Sequence, residues 1–542
     1  MVRHAARPAR PRRHAPARSP RVPSRMPGLA SRARGLASLL RRVLHGLRAE
    51  RAFLVLFLLQ ALPLALLLPP GAGLDEPGHA ARVGQLAHMI LAPRPVGQTP
   101  GGTVLYGGAV DAGLWRAMDR GLHQYWANDD PLPPPWDPSS PWHVPLGGGE
   151  TGMVFSNTAV YAPAAYPAQI LLEPLARLAG QWAGAGMYVT VLRLAGVSLF
   201  ALAGFHAIRL APLGRWALAC VLCLPATAAS MASVGADPAA AGSCLLLVSL
   251  ALRMLDRGRA SRGEWVLLAA LAMWAGLAKM AYLPVALLAC LPALLLESGS
   301  RRRGLTTAML ASALGPAVCW WLLVRGVNVG AMYGRATSPA LQLQYALSRP
   351  WDMARMGVRV LLDAMPLPLG PEGVLAAPNR PSGLGSGGVS LLALIACLHT
   401  DHAGDPAGRD AGHGGLSRGR ARRAVLACLP VSFLMTAALV CAADWLQFTP
   451  VGAAGIEGVQ NRYWLPALPL ILIPLQLAAT PPADDAGHSK DDLNAEGDPV
   501  PATPARTGSP REGKPSPGAL PATMLMGLSA LATLNALRIL AT

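Results

Sequence analysis

Apolar segments long enough, or nearly long enough, to cross a lipid bilayer occur from one end of this chain to the other. A helix needs about 20 mostly apolar residues to span the hydrocarbon core. Of the 542 residues, 52% are hydrophobic and only 14% are charged, whereas a soluble domain carries about 25% charged residues. We therefore expect the chain to fold in a membrane, where its spans must satisfy their own backbone hydrogen bonds.

Eleven segments are predicted to span the membrane as helices, so the expected fold is an all-α polytopic bundle with interfacial helices. The predicted spans are 52–69, 187–208, 216–234, 239–255, 264–279, 281–297, 305–324, 387–399, 424–443, 463–479 and 520–540. Segment 158–180 is also apolar, but prolines and charged side chains interrupt it, so we expect an interfacial helix there. Two points stay open, because 264–297 is compatible with one long helix and 387–399 is short for a span.

The uneven distribution of arginine predicts the orientation of the chain. Residues 1–51 contain fourteen arginines and one acidic residue, Glu50, and their second half is predicted to form a basic amphipathic helix. Because cytoplasmic segments retain positive charge, we expect this region on the cytoplasmic side of a bacterial inner membrane. With eleven spans, the arginine clusters at 253–262, 301–303 and 418–423 fall on the same side. A nucleic-acid-binding arm is the alternative, but the adjoining span favours the membrane, and we expect no nucleic acid as a partner.

This arrangement also predicts the domain organisation. The transmembrane domain covers 52–479, and two of its connections, 71–187 and 325–386, are long and lie on the outer side. Segment 480–518 is rich in proline, glycine, alanine and aspartate, which predicts a disordered cytoplasmic linker. The last span lies in 519–542. No soluble globular domain is predicted.

Two adjacent carboxylates follow the first span, in the sequence 71-GAGLDEPGHAARVGQLAH-88. Pro77 predicts the start of a helix, and the helix dipole favours Asp75 and Glu76 in its first turn. Asp75, His79 and Arg82 are spaced to share one helix face. On spacing alone, a capped helix with a solvated polar face is the simpler interpretation. The alternative is general-base or divalent-cation chemistry on an anionic substrate.

Further polar residues are predicted to reach the same side of the membrane. They are Asn157, Tyr161, Asp237, Lys279, Gln460, Arg462 and Tyr463. Each has an ordinary explanation on its own, such as a helix cap, a snorkelling side chain or a member of an aromatic belt. Charges at the edge of a membrane usually face one another or a substrate, so their convergence indicates a shared site.

Five segments, taken in order, resemble a family of multi-pass bacterial membrane proteins. They are 75-DEPGH-79, 156-SNTAVYAPAAYPAQ-169, 233-SVGAD-237, 279-KMAYLP-284 and 458-GVQNRYWLP-466. That family is defined by a domain of unknown function and is grouped with the GT-C glycosyltransferases. The resemblance extends over about residues 52 to 480. It implies a GT-C-like enzyme that transfers a sugar, with inversion, from a polyprenyl-phosphate donor to a glycan or lipid acceptor on the outer face.

The resemblance also implies roles for individual residues. Asp75 is expected to be the catalytic base, and Glu76 is expected to share that role or to help Asp75 hold Mg²⁺ or Mn²⁺. His79 would orient the acid or the sugar, while Lys279 and Arg462 would bind phosphate. The other members of the expected substrate site are Arg82, Asn157, Tyr161, Asp237, Gln460 and Tyr463.

Three alternatives to a glycosyltransferase remain from the sequence. A lipid-linked oligosaccharide ligase or polymerase would use similar substrates on the same face of the membrane. A transporter or flippase would carry charged residues deep within several spans and paired half-helices, whereas most charges here lie at the ends of spans. A non-catalytic scaffold would leave the polar cluster without a role.

Overall fold

The computed structural model describes residues 48–127, 133–334, 337–363, 416 and 419–479. The predicted spans 387–399 and 520–540 lie outside these ranges. The linker predicted at 480–518 and nearly all of the basic N-terminal region also lie outside them.

Five helices within the described residues are long and apolar enough to cross a membrane. They are Ala49–Leu67, Ala185–Leu210, Asp237–Arg257, Gly299–Val324 and Gly419–Gln447. Each overlaps one predicted span, so the helices predicted at 52–69, 187–208, 239–255, 305–324 and 424–443 are confirmed. The fold of the described part is therefore mostly helical, as expected for a multi-pass membrane protein.

The chain breaks at Lys279, between two predicted spans. Helix Arg262–Ala278 ends there, because Lys279 has an extended backbone (φ −157°, ψ 109°). The following apolar stretch, Met280–Leu296, consists of four consecutive short helices. These are Met280–Tyr282, Leu283–Ala286, Leu287–Ala289 and Cys290–Leu296. The structure thus favours two segments over a single long helix across 264–297.

The prediction of one continuous span at 216–234 is wrong, because the structure has two short helices, Arg215–Leu222 and Pro225–Met231. Proline has no N–H group and cannot bond to the carbonyl four residues earlier. The Thr227 hydroxyl donates instead to the Val221 carbonyl, at 2.9 Å. Almost all side chains of this pair are buried, so the two helices lie in the interior of the protein and not against lipid.

A second apolar segment, predicted at 463–479, also starts later than expected. A single 3-10 turn, Asn461–Trp464, precedes the helix Pro469–Ala479. This arrangement leaves Arg462 in the turn, outside the helix.

Segment 71–187 contains a small antiparallel sheet that the sequence pattern does not predict. Its strands are β1 Arg94–Gln98, β2 Val104–Asp111 and β3 Glu150–Val154, in the order β1-β2-β3. Helix Glu76–Ala87 precedes the sheet, and helix Ala112–Ala127 follows β2 directly. Between that helix and β3, the described part of the proline- and tryptophan-rich sequence 131-PLPPPWDPSSPWHVP-145 contains one helical element, the 3-10 turn Pro141–His143.

The segment predicted to be interfacial contains the helices Ser156–Ala159 and Pro167–Ala183 with the 3-10 turn Pro163–Ala165 between them. The longer helix has two opposite faces. Its buried face carries Gln169, Glu173, Ala176 and Gly180, and its exposed apolar face carries Leu171, Leu175, Leu178 and Trp182. An apolar face turned away from the protein is typical of a helix at a membrane surface, which remains our prediction for its position.

Segment 325–363 contributes the 3-10 turn Gly330–Tyr333 and two further helices. The helices are Pro339–Ser348 and Pro350–Asp363.

Candidate active site

Glu76 is buried in a hydrogen-bond network. Nε and Nη2 of Arg193 donate to its two carboxylate oxygens, at 2.7 and 2.6 Å. The backbone amides of Gly71, Gly73 and Val234 also donate to this carboxylate, at 2.9–3.3 Å. Glu76 and Arg193 are both fully buried, so this carboxylate has no lone pair left for a substrate.

Arg193 also fixes the end of the first long helix. Its guanidinium donates to the carbonyls of Leu68 and Pro69, which lie just beyond helix Ala49–Leu67. The structure therefore corrects the expectation that Glu76 acts in catalysis or holds a cation. The side chains of Glu76 and Arg193 instead bind the backbone at Leu68–Pro69, Gly71–Gly73 and Val234. Arg193 was not among the predicted site residues, although an arginine within an apolar span was the available signal.

Asp75, the neighbouring carboxylate, points in another direction. Its backbone is left-handed (φ 57°), a conformation that costs a non-glycine residue about 1–3 kcal/mol. Its Oδ2 lies 2.8 Å from Nη2 of Arg462, and its Oδ1 accepts a hydrogen bond from Nδ2 of Asn157 at 3.2 Å. Backbone strain of this size, in a residue whose side chain contacts both Arg462 and Asn157, is typical of a functional site.

Arg462 connects Asp75 to a second pair of charges. Its Nε lies 3.5 Å from Oδ2 of Asp237, and Nζ of Lys279 lies 3.6 Å from Oδ1 of the same carboxylate. The Lys279 ammonium also lies 3.8 Å from the centre of the Tyr463 ring, within the range of a cation–π contact. The four charged residues thus alternate in sign, and they come from four separate segments of the chain.

His79 lies beside this row of charges as a neutral ring. Its Nδ1 is 2.6 Å from the Tyr166 hydroxyl oxygen, and its ring lies 5.4 Å from that of Tyr161. Burial lowers the pKa of His79 from 6.5 to about 4, although the Asp75 carboxylate opposes the shift. The imidazole is therefore uncharged near pH 7 and acts as a hydrogen-bonding group.

A cavity of about 320 Å³ opens onto these residues. The sequence-predicted site residues that line it are Asp75, His79, Asn157, Tyr161, Lys279, Gln460 and Tyr463. Asp237 and Arg462 contact the lining residues from behind. The lining also includes the apolar side chains Trp320, Trp321, Val324 and Val440. These four residues belong to helices Gly299–Val324 and Gly419–Gln447, two of the five that are long enough to cross a membrane.

Arg82, which was expected to bind substrate phosphate, does not line this cavity. It is fully buried, and its Nη2 donates to the Leu91 carbonyl at 2.8 Å. Its Nε donates to the Tyr161 carbonyl at 3.2 Å, and its Nη1 donates to Oε1 of Gln85 at 2.9 Å. This guanidinium is used to hold backbone, so the predicted role of Arg82 is corrected.

Several lining residues were absent from the sequence prediction. They include the polar residues Tyr333, Arg325, Gln447 and Asp444. Asp444 comes one residue after the predicted span 424–443, so the criterion that selected Asp237, a charge at the edge of a span, would also have selected Asp444. Tyr333 gave no such signal, although its hydroxyl oxygen lies 3.1 Å from Nδ2 of Asn157.

The expected divalent cation does not fit these side chains as they are arranged. Asp75 and Glu76 diverge, and Arg462 and Asn157 already contact both oxygens of the Asp75 carboxylate. No group of three or more histidine, cysteine, aspartate or glutamate side chains within the described ranges could hold a metal ion. We therefore derive no step through a metal.

Comparison with known proteins identifies the family to which the chain belongs. Residues 56–471 match the family of predicted membrane proteins DUF2142, and this match contains every residue of the cavity described above. No curated protein and no solved structure matches the chain significantly. The match covers well over half of the sequence, so the chain is a multi-pass membrane protein that belongs to the DUF2142 family.

Proposed function

We propose that the protein is an inverting, GT-C-like glycosyltransferase of the bacterial inner membrane. In this proposal it transfers a sugar from a polyprenyl-phosphate donor to a glycan or lipid acceptor on the outer face. The observation that carries the proposal is a cavity that is lined by both charged and apolar side chains. A polyprenyl-phosphate sugar has the matching parts, namely an apolar chain, an anionic phosphate and a polar sugar.

The two cations supply the phosphate site. As the glycosidic bond breaks, its electron pair passes to the phosphate oxygen, and negative charge grows on the leaving group. Lys279 lines the cavity, Arg462 lies directly behind the lining in contact with Asp75, and both would stabilise that charge. Asp237 contacts both cations and therefore holds them in position.

Asp75 is the proposed base, but its carboxylate is occupied before substrate binds. A phosphate that binds Arg462 competes with Asp75 for the guanidinium, which presently lies 2.8 Å from Oδ2. Release of Oδ2 gives the acceptor hydroxyl a free carboxylate oxygen. The hydroxyl oxygen then attacks the anomeric carbon and its proton passes to Asp75. Binding of the donor phosphate to Arg462 would thus free the Asp75 carboxylate to act as the base.

A transfer assay tests this function. The full-length protein, purified into lipid nanodiscs, is incubated with polyprenyl-phosphate-linked hexoses and a glycolipid extract of the bacterial envelope, and products are identified by mass spectrometry. We expect one sugar to be added per acceptor and Asp75→Asn to lower the rate at least 100-fold, the lower range for a general base. The matched control, Asp352→Asn, changes a partly exposed aspartate of helix Pro350–Asp363 that does not line the cavity, and it should leave the rate unchanged.

Two outcomes would contradict the proposal. Full activity in Asp75→Asn would remove Asp75 from the chemistry. Transfer of a whole oligosaccharide chain in place of a single sugar would identify a ligase or polymerase instead.

A further inference from the structure

A second cavity, of about 340 Å³, lies on the far side of helix Glu76–Ala87 from the cavity at Asp75. His79 lines the first cavity, whereas Gly84 and His88, on the opposite face of the same helix, line the second. Further walls come from the three strands of the sheet and from helices Ala112–Ala127, Pro167–Ala183 and Ala185–Leu210. No residue that the structure describes lines both cavities, so the second one is a separate site.

The second cavity is lined by side chains of both charges. They are Arg94, Arg177, Asp111 and Glu150, together with His88. Arg94 and Glu150 are exposed, and neither side chain has a hydrogen bond or an ion pair with another described residue. Asp111 is already used, because its carboxylate accepts hydrogen bonds from the backbone amides of Leu114 and Gly147 at 2.8–3.0 Å. Arg94 and Glu150 are therefore both accessible to a ligand.

The register of the sheet separates Arg94 from Glu150. Arg94 pairs with Gly107 on β2, and Glu150 pairs with Asp111, four residues farther along the same strand. Four residues extend about 13 Å along a strand, and residues at even spacing point to the same face of the sheet. The two opposite charges thus lie on one face, separated from each other. A ligand that contacts both must carry an anionic group and a cationic group of its own.

Arg177 adds a second cation, carried by the helix that we expect at the membrane surface. Its Nε and Nη2 donate to Glu173, one turn earlier, but its side chain is still 40% exposed. The spacing of about 100° per residue places Arg177 at the edge between the buried face of helix Pro167–Ala183 and its exposed apolar face. When the apolar face enters the membrane, this guanidinium lies at the level of the lipid phosphates, which arginine binds well.

We propose that the second cavity binds the headgroup of a phospholipid that carries both a phosphate and a primary ammonium, as an ethanolamine phospholipid does. The phosphate contacts Arg94 and Arg177, and the ammonium donates to Glu150. The acyl chains extend along the exposed leucines of helix Pro167–Ala183, which adjoin the same cavity and favour a bilayer lipid over a soluble compound. This site goes beyond the proposed sugar transfer and does not depend on it.

Other phospholipid headgroups match the cavity less well. A glycerol headgroup leaves the lipid with a net negative charge and brings no cation to Glu150. A choline headgroup is positively charged, but its quaternary nitrogen has no N–H group to donate. The headgroup preference therefore reports on Glu150, whereas the phosphate that all three lipids share reports on Arg94.

Lipid binding to the purified full-length protein in detergent tests the site. Native mass spectrometry follows the bound lipid during titration with phosphatidylethanolamine, phosphatidylcholine and phosphatidylglycerol of identical acyl chains. We expect the ethanolamine lipid to bind about three- to fivefold tighter than either of the others, since a partly solvated ion pair contributes modestly. Equal affinity for all three lipids would overturn the inference.

Two variants of exposed residues assign the contacts. Glu150→Gln should abolish the preference for the ethanolamine lipid over the choline lipid and leave the affinity for the choline lipid unchanged. Arg94→Gln should weaken the binding of all three lipids about three- to fivefold. Arg120→Gln, which changes an exposed arginine of helix Ala112–Ala127 outside both cavities, should bind each lipid as the wild type does. An unaltered preference in Glu150→Gln, or unaltered binding in Arg94→Gln, would contradict the assignment.

Soluble glycerophosphoethanolamine distinguishes a bilayer lipid from a water-soluble ligand. It carries the same phosphate and ammonium without acyl chains, so we expect no displacement of the bound ethanolamine lipid at equal concentration. Displacement at equal concentration would overturn the lipid as the ligand. Because no sugar transfer is measured, the result stands apart from the outcome of the transfer assay.

Discussion

Among the single residues of the site, four charged side chains form a row in which each contacts a side chain of opposite charge. Asp75 contacts Arg462, Arg462 contacts Asp237, and Asp237 contacts Lys279. A phosphate that binds Arg462 or Lys279 must therefore redistribute existing contacts. This arrangement disfavours the binding of nonspecific anions at these two cations, because a ligand must compensate for the contact that it breaks.

The neutral state of His79 gives a pH-dependent stability that can be measured. The folded protein holds this histidine at a pKa of about 4, whereas the unfolded chain has a value near 6.5. As the pH falls below about 6.5, the unfolded chain binds a proton that the folded protein does not, so stability is lost between about pH 6.5 and 4. Acidification from pH 7.5 to 5 should cost about 2 kcal/mol through this residue.

Unfolding in mixed detergent micelles, titrated with sodium dodecyl sulfate at both pH values, checks this prediction. The variant His79→Gln should lose about 2 kcal/mol less on acidification than the wild type. His88→Gln, which changes an exposed histidine at the end of the same helix, serves as the matched control. The same acid sensitivity in His79→Gln and in the wild type would contradict the neutral assignment.

At the scale of elements, the Glu76–Arg193 pair joins helix Glu76–Ala87 to helix Ala185–Leu210. Glu76→Gln removes one charge and leaves the Arg193 guanidinium buried without its counterion, a change that typically costs about 3–5 kcal/mol. We expect a clear loss of thermal stability in detergent, measured by fluorescence-detected size-exclusion chromatography. Asp75→Asn should lose less, because Asp75 is 26% exposed and Arg462 keeps Asp237. Equal losses in both variants would contradict the division of roles.

Hydropathy predicts the long helices, but it does not predict whether an apolar segment faces lipid or is enclosed by protein. The five long spans follow from their composition, and the break at Lys279 follows from the cost of a charge in the middle of a span. The buried pair Arg215–Leu222 and Pro225–Met231 is just as apolar, because a segment enclosed by protein and one facing lipid have similar compositions. The sequence does not predict the sheet, because the central strand 104-VLYGGAVD-111 lacks an alternation of polar and apolar residues and contains two glycines. A Cβ at Gly107 would lie 1.9 Å from the Met153 carbonyl oxygen.

The candidate site was only partly predictable for a related reason. Charges at the edges of spans can be found from the sequence, and most of those that were selected lie at the cavity. Sequence position alone cannot assign different roles to adjacent residues such as Asp75 and Glu76, since these roles depend on partners more than 100 positions away in the chain. Arg82 has the correct spacing on its helix but is used by nearby backbone carbonyls.

At the scale of the whole molecule, the cavity gathers the ends of helices that are distant in sequence. The lining residues Lys279, Val324 and Asp444 lie at or near the C-terminal ends of three helices. Asp237, directly behind them, begins a fourth. If each helix crosses the membrane once, all of these ends lie on one side, and Gly419, at the other end of Gly419–Gln447, lies on the opposite side.

The expected sides of Val324 and Gly419 bear on the predicted span 387–399, which lies outside the described residues. If each long helix crosses the membrane once, Val324 lies on the side of the cavity and Gly419 lies on the other side. The predicted span 387–399, as one crossing between them, agrees with these positions. We therefore expect residues 370 and 410 on opposite sides of the membrane.

Paired reporter fusions in bacteria test this topology. Alkaline phosphatase, which is active only outside the cytoplasm, should be active when fused after residue 130 or 370. Green fluorescent protein, which fluoresces only inside, should be fluorescent when fused after residue 410 or 490. Reporters at 370 and 410 on the same side would contradict the predicted span 387–399. A cytoplasmic signal at 130 would place the Asp75 cavity on the inner side, where a lipid-linked donor displayed on the outer face could not reach it.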